Sequence, residues 1–131
     1  MFLLDTDTII YSLKGNARVI SNLRAYAAAP KAISVITYGE LYFGAMKSAQ
    51  ADENLARVRR IGEIFPVIDV TRAVMETFGS IKAKLQQRGK PLDDFDLIIA
   101  ATALVLNYRL VTNNVDHYVR VPGLDIVNWS V

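Results

Sequence analysis

Five short apolar runs, the first three each followed by stretches with helical spacing, constrain this chain more than any other feature. Phe2 to Leu4, Ala32 to Ile36, Pro66 to Val70 and Arg109 to Thr112 read as four strands, and the short run Asp125 to Val127 as a fifth. They are continuous rather than alternating in polarity, as expected of strands covered by helices on both faces. Strands alternating with helical segments predict an α/β fold with a mainly parallel sheet of four to five strands. The 131 residues predict one domain over positions 1–131.

The intervening segments carry their own punctuation. Thr6 or Asp7 is placed to cap a helix running to about Leu13, which Gly15 stops. Ala17 to Ala28 is helical up to Pro30, and Thr37 with Glu40 forms a TxxE capping-box pattern after the second strand. A charged helix is expected near Glu53 to Gly62. A long one should run from Thr71 to about Gln87, and an apolar, centrally buried one from Phe95 to Asn107.

Composition removes several chemistries. There is no cysteine and a single histidine, His117, so thiolate zinc sites, Cys nucleophiles, disulfide scaffolds and HExxH metal sites are excluded. No GxxxxGK[ST], GxGxxG or GxSxG pattern occurs. An apolar fraction of 52% against 21% charged residues excludes a disordered chain. No apolar run approaches the roughly 18–20 residues of a membrane span. The opening MFLLDTDTII carries an acid where a secretory leader needs basic residues, so a cytoplasmic protein is expected. The net charge of +2 permits a nucleic-acid partner without pointing to one.

What remains is acids. In open parallel sheets, ligands bind beyond the carboxyl ends of strands. Asp5 follows the first strand, Glu40 falls in the first turn after the second, and Asp116 lies a few residues past the fourth, beyond Thr112, Asn113 and Asn114. Asp96 opens the apolar helix behind Asp93 and Asp94. If strands one, two and four are neighbours, these carboxylates converge, and several acids a few ångströms apart repel unless a cation joins them. Oxygen donors without Cys or a His cluster suit Mg²⁺ or Mn²⁺. Such an ion binds phosphate oxygens and activates water, which outlines phosphodiester hydrolysis. Each acid also has a plainer reading: Asp5 as a helix cap, Glu40 as a capping-box partner, Asp93 and Asp94 as caps and dipole partners of their helix, Asp116 as a solvated loop acid. Asp96 is the strongest functional candidate, because an acid in the apolar stretch FDLIIAATAL needs a partner or a metal.

These stretches resemble one family. MFLLDTDTII, AISVITYGELYFGA, KPLDDFDLIIAATAL and LVTNNVDHYVRVPGLDIVNW resemble, in order, the four motif regions of PIN-domain ribonucleases of the VapC toxin type. The resemblance implies a three-layer α/β/α sandwich and a Mg²⁺- or Mn²⁺-dependent endoribonuclease. It also implies a homodimeric cytoplasmic toxin held inactive by a VapB-like antitoxin. It assigns Asp5, Glu40 and Asp96 as the three acids, with Asp5 and Asp96 as the most regular metal ligands, Glu40 in the first or second ligand shell, and Thr112 as the hydroxyl beside them. For the fourth acidic position Asn114 and Asp116 compete, and Asp116 is chosen as the only nearby acid. Asp7 stands where the family often has Asn; it would join the metal shell or cap the helix.

Two other readings compete. A nuclease-inactive PIN module would only bind RNA or protein. A haloacid-dehalogenase-like phosphatase would use DxDxT, with Asp5 as nucleophile and Asp7 as acid, yet no Lys follows Lys90 and no strand precedes Asp93-Asp94. RNA contacts are sought among Arg57, Arg59, Arg60, Lys82, Lys84, Arg88 and Lys90, each of which also reads as a solvated helix face. Antitoxin contacts are sought among Tyr38, Tyr42 and Phe43, of which at least one is expected in the core.

Overall fold

The computed structural model describes residues 1–131. Its elements run β1 (Phe2–Leu4), α1 (Thr6–Leu13), α2 (Ala17–Ala25), β2 (Lys31–Ser34), α3 (Val35–Met46), α4 (Ala51–Ile64), β3 (Val67–Ile68), α5 (Arg72–Gln87), α6 (Asp94–Leu106), β4 (Arg109–Val111), α7 (Val115–Tyr118) and β5 (Ile126–Val127). All four strand pairings are parallel and the sheet order is β3-β2-β1-β4-β5. The expected α/β class, with β1 between β2 and β4, is the one observed.

Alternation along the strands divides the interior into two cores. Leu3, Ala32 and Leu110 face Val74, Ile81 and Leu85 of α5 and the buried side of α6. Phe2, Leu4, Ile33 and Val111 face Ile9, Val19, Leu41, Val58 and Ile61 of α1 to α4. The layers are therefore helix, sheet, helix. Trp129 closes the second core, stacked 5.4 Å from Tyr26 and edge-on to Phe2 at 5.0 Å. In α6 the small residues Ala100, Ala101 and Ala103 are fully buried and let the helix lie close to its neighbours. The helix ends where Asn107 turns left-handed at φ 55°. Gly62 lets α4 pass beneath Tyr38, whose ring would stand 2.8 Å from an added Cβ.

The helix entrances differ from the sequence expectation in ways that move the acids. Asp5 itself caps α1 and accepts from the Thr6 amide, so Thr6 and Asp7 lie inside the helix. β2 ends earlier than expected, and Ser34 rather than Thr37 caps α3, accepting from Ile36 N at 3.0 Å. Glu40 therefore lies in the second turn, too far along to be a capping-box partner. The pattern Ala-Ile-Ser-Val-Ile has two β-branched residues after Ser34 that mimic a continuing strand, whereas the serine hydroxyl starts the helix. Helix α2 stops at Ala25, short of Ala28, and α7 is a four-residue turn with no apolar period to announce it.

Candidate active site

The sheet order reverses direction between β1 and β4: from β1 the chain progresses to β2 and β3, and from β4 to β5. The segments leaving these strands also part. α1 packs into the core on one face through Ile9, while Tyr118 of α7 is buried in the core on the other. A crevice opens at such a switch point. Here it has a volume of about 320 Å³ and is lined by Asp5, Thr6, Asp7, Ile10, Glu40, Asp96, Asn113 and Asn114. Four of the eight are carboxylates, and no Lys or Arg is among them.

Each acid is fixed by its own donors. Asp5 continues the ladder past β1, its amide donating to Val111 O at 2.9 Å. Its Oδ1 accepts from Thr6 N at 2.8 Å and its Oδ2 from the Thr112 hydroxyl at 2.8 Å, across the switch point. Thr112 Oγ1 in turn accepts from Asn114 N at 3.0 Å. Asp7 Oδ2 accepts from Asn113 N at 3.1 Å, and its Oδ1 from the Thr8 hydroxyl at 3.3 Å. Glu40 Oε1 accepts from the Thr6 hydroxyl at 2.7 Å, and Thr37 Oγ1 lies 3.0 Å from the same oxygen of Thr6. Asp96 Oδ1 accepts from the Tyr118 hydroxyl at 3.3 Å.

Burial without a counter-charge shows in the acidities. Burial, then the neighbouring Asp7 charge, raises the Asp5 carboxyl from 3.8 to about 7, against the lowering effect of the Thr112 and Thr6 hydrogen bonds. Burial likewise raises Asp7, Glu40 and Asp96, with the Asp96 charge adding to Glu40 and the Asp93 charge to Asp96. Four acids pushed upward together mark a functional site more than a structural ion pair.

The crevice thus gathers Asp5, Glu40 and Asp96, with Thr112 bonded to Asp5 from below. It does not gather Asp116, which is exposed on α7 and does not line the crevice. Asn114 does, because the turn after β4 points Asn113 and Asn114 inward before α7 carries Asp116 away. Asp93 caps α6 at Phe95 N and Asp94 pairs with Lys82 at 2.9 Å, both as expected of helix-entrance acids. Asp7 belongs to the crevice and caps nothing. Tyr118 and Thr6 hold Asp96 and Glu40, roles that no sequence pattern announces.

The fit to a divalent ion follows from the donor set. Every polar side chain that lines the crevice offers an oxygen, and no Lys or Arg among them balances the four acids. The side chains do not already form a group of three or more acids set around one ion. The expected trio of Asp5, Glu40 and Asp96 is therefore not a ready cage, and Glu40 Oε1 is bonded to the Thr6 hydroxyl. Mg²⁺ asks for less: it commonly takes one or two carboxylates and keeps several waters. Asp5 and Asp96 line the crevice together, and two carboxylates are within that range.

The basic candidates divide. Arg60 pairs with Glu63 at 3.2 Å and Lys82 with Asp94. Arg57 lines a recess of about 330 Å³ that Glu40 and Lys14 also line, between α1, α3 and α4. Of the three aromatic candidates on α3, Phe43 is 64% exposed, while Tyr38 and Tyr42 pack against the second core.

Comparison with known proteins agrees with this architecture. The family model described as PIN domain matches residues 2–124. The tRNA(fMet)-specific endonuclease VapC of Salmonella typhimurium is 36% identical over 129 residues, 98% of this chain and 97% of that protein. The Haemophilus influenzae protein named Ribonuclease VapC2 is 34% identical over 128 residues, 98% and 97% of the two chains. Among solved structures, VapBC2 from Rickettsia felis bound to a DNA fragment from their promoter superposes with a TM-score of 0.92 at 30% identity, over 98% of both chains. DNA-bound VapBC from Salmonella typhimurium gives 0.91 at 32%, over 98% and 97%. With the fold, the acidic crevice at the switch point and these relatives in agreement along almost the whole length, the chain belongs to the PIN domain family.

Proposed function

We propose that this chain is a divalent-metal-dependent endoribonuclease, the toxin of a VapBC-type toxin-antitoxin pair, with residues 1–131 forming one PIN domain. The carrying observation is the crevice in which four carboxylates meet without a cation at the switch point of the sheet, in a chain whose relatives are named ribonucleases. A cytoplasmic location, a VapB-like antitoxin and a homodimer belong to the same reading. No helix is long and apolar enough to cross a membrane.

Asp5 and Asp96 would hold Mg²⁺ or Mn²⁺. When bound, the ion supplies charge neutralisation for the phosphate and a more acidic water. Glu40 is the proton acceptor. Its Oε1 is fixed by Thr6, its Oε2 has no partner in the protein, and burial raises its carboxyl above the ordinary carboxylate value. Thr112 holds Asp5 by its Oδ2 and so sets the carboxylate plane. Asn113 and Asn114 supply neutral donors at the mouth, where a further acid would repel phosphate. Arg57 and Lys14, in the recess beside Glu40, supply the positive charge that the crevice lacks. The product of hydrolysis by water carries a 5′-phosphate and a 3′-hydroxyl.

The phosphatase reading asks for a lysine beside Asp5 to hold the phosphate, and no lysine lines the crevice. The test is cleavage of total RNA and transfer RNA by the purified protein with Mg²⁺, Mn²⁺ or chelator, beside Asp5→Ala and Asp96→Asn. Metal-dependent cleavage lost in both folded variants supports the reading. A 2′,3′-cyclic phosphate product, or cleavage that persists in chelator, refutes the mechanism, and metal-independent binding of RNA without cleavage would favour an inactive module.

A further inference from the structure

We propose that the hydroxyl of Tyr118 is a positioning group for Asp96, reaching the acid from inside the core and setting its affinity for the divalent ion. The inference deepens the reading of Asp96 as an ion ligand and rests on it.

Tyr118 is fully buried, packed with Leu97, Ala100 and Leu110 in the core between the sheet and α5–α6. A phenol in such a place needs a partner for its one polar atom. It finds Asp96 Oδ1 at 3.3 Å, and the structure gives it no other. Asp96, for its part, receives no other hydrogen bond from the chain. Each of the other crevice acids has a donor on α1 or in the turn after β4; Asp96 alone is tethered by a side chain that comes up from the opposite core.

Three consequences follow. The phenol is the donor of the pair, since a carboxylate oxygen can only accept. Its contact with Oδ1 restricts the rotation of the carboxyl group and leaves Oδ2 without a protein partner. Finally, a carboxylate already held by its hydrogen bond has less freedom to lose when a cation binds. Hydrogen bonds to ligating carboxylates are a general means of orienting a ligand, and their loss costs about 10–100-fold in metal affinity or activity.

The test uses the full chain with Tyr118→Phe, which keeps the ring and deletes the oxygen. Mn²⁺ binding is followed by electron paramagnetic resonance of the free ion, without RNA, beside the wild type, Asp96→Asn and the double variant. The expected result is a Mn²⁺ Kd raised by about tenfold or more in Tyr118→Phe, with no further rise when it is added to Asp96→Asn. In RNA cleavage, kcat at limiting Mn²⁺ should fall, KM for RNA should hold, and excess Mn²⁺ should restore much of the rate. A Mn²⁺ Kd unchanged from wild type overturns the proposal and leaves Tyr118 a satisfied core phenol. Equal losses in the wild-type and Asp96→Asn backgrounds overturn it as well, since they mark a general loosening of the fold. If the wild type itself binds no Mn²⁺, the ion-ligand reading of Asp96 fails and takes the proposal with it; if the wild type and Tyr118→Phe bind alike, only the positioning role fails.

Discussion

Replacing Asp5 by Asn should make the metal-free protein more stable, and increasingly so as pH rises. Asp5 is 5% exposed and its carboxyl is raised from 3.8 to about 7. A carboxyl raised in the folded state binds its proton more tightly there than in the unfolded chain. Its stabilising contribution is complete below the unfolded value and is lost as pH climbs through the folded one. Between about pH 5 and pH 7 the loss accrues at roughly 1.4 kcal/mol per unit, about 3 kcal/mol in all, and then levels off. Asparagine escapes this cost and can keep the hydrogen bonds. Its Oδ1 accepts from Thr6 N, its Nδ2 donates to Thr112 Oγ1, and the Thr112 hydroxyl turns to Asp7 Oδ2 at 3.4 Å. For a domain of this size about 3 kcal/mol corresponds to a Tm difference on the order of 10 °C. Thermal melts in chelator, at intervals from about pH 5 to pH 8, should show the two curves diverging by that amount, with the variant higher at the alkaline end. Saturating Mg²⁺ or Mn²⁺ should lift the wild type most at the alkaline end and the variant little. Parallel Tm–pH profiles in chelator would refute the reasoning, since they would mean that Asp5 is neither desolvated nor crowded by Asp7.

Glu40→Gln should reduce RNA cleavage by about 10²–10⁴-fold with little change in Tm, because the Thr6 hydroxyl can still donate to the remaining carbonyl oxygen; single-turnover kinetics measure it. Asp116→Ala should leave the cleavage rate within about twofold of wild type, as for other exposed positions away from a site; a hundredfold loss would return Asp116 to the machinery. Thr112→Val removes the donor to Asp5 and strands the Asn114 amide. Urea unfolding near neutral pH should register a loss of about 1–3 kcal/mol.

The fold was legible because its signal is distributed. Five apolar runs and their helical spacers tolerate errors of several residues at each end and still specify a parallel sheet. The acids were legible as residue types, since Asp96 in FDLIIAATAL has no comfortable structural role. The way each acid is held was not. Ser34 and Thr37 are equally good caps in one dimension, and the choice between them decides whether Glu40 faces its own helix entrance or Thr6. Asp116 was favoured over Asn114 for its charge, but a turn of two residues decides which of them faces the crevice, and no composition rule reads a turn that short. Tyr118 carries no local cue at all, because its hydroxyl matters only through an acid on another element, with which it shares no sequence pattern.

The position of the crevice explains why one hydrogen bond couples so much. β1 is the middle strand, and Asp5 at its end touches both neighbouring connections: Thr112 across the switch point, and Thr6, which leads on to Glu40 and Thr37. The hydroxyl of Thr8 also donates to Val111 O at 3.0 Å, clamping α1 to β4. Pulling these strands together therefore forces the acids together, and the repulsion is borne by the folding energy of the sheet itself. On the proposed reading, ion binding and folding would reinforce one another, since a cation that relieved Asp5 and Asp96 would stabilise the folded state alone. An isolated acidic patch on a flexible loop would move apart instead, at no cost to the core and with no gain on adding metal. A Tm that rises with Mg²⁺ concentration in the wild type, and far less in Asp96→Asn, is the signature that separates the two.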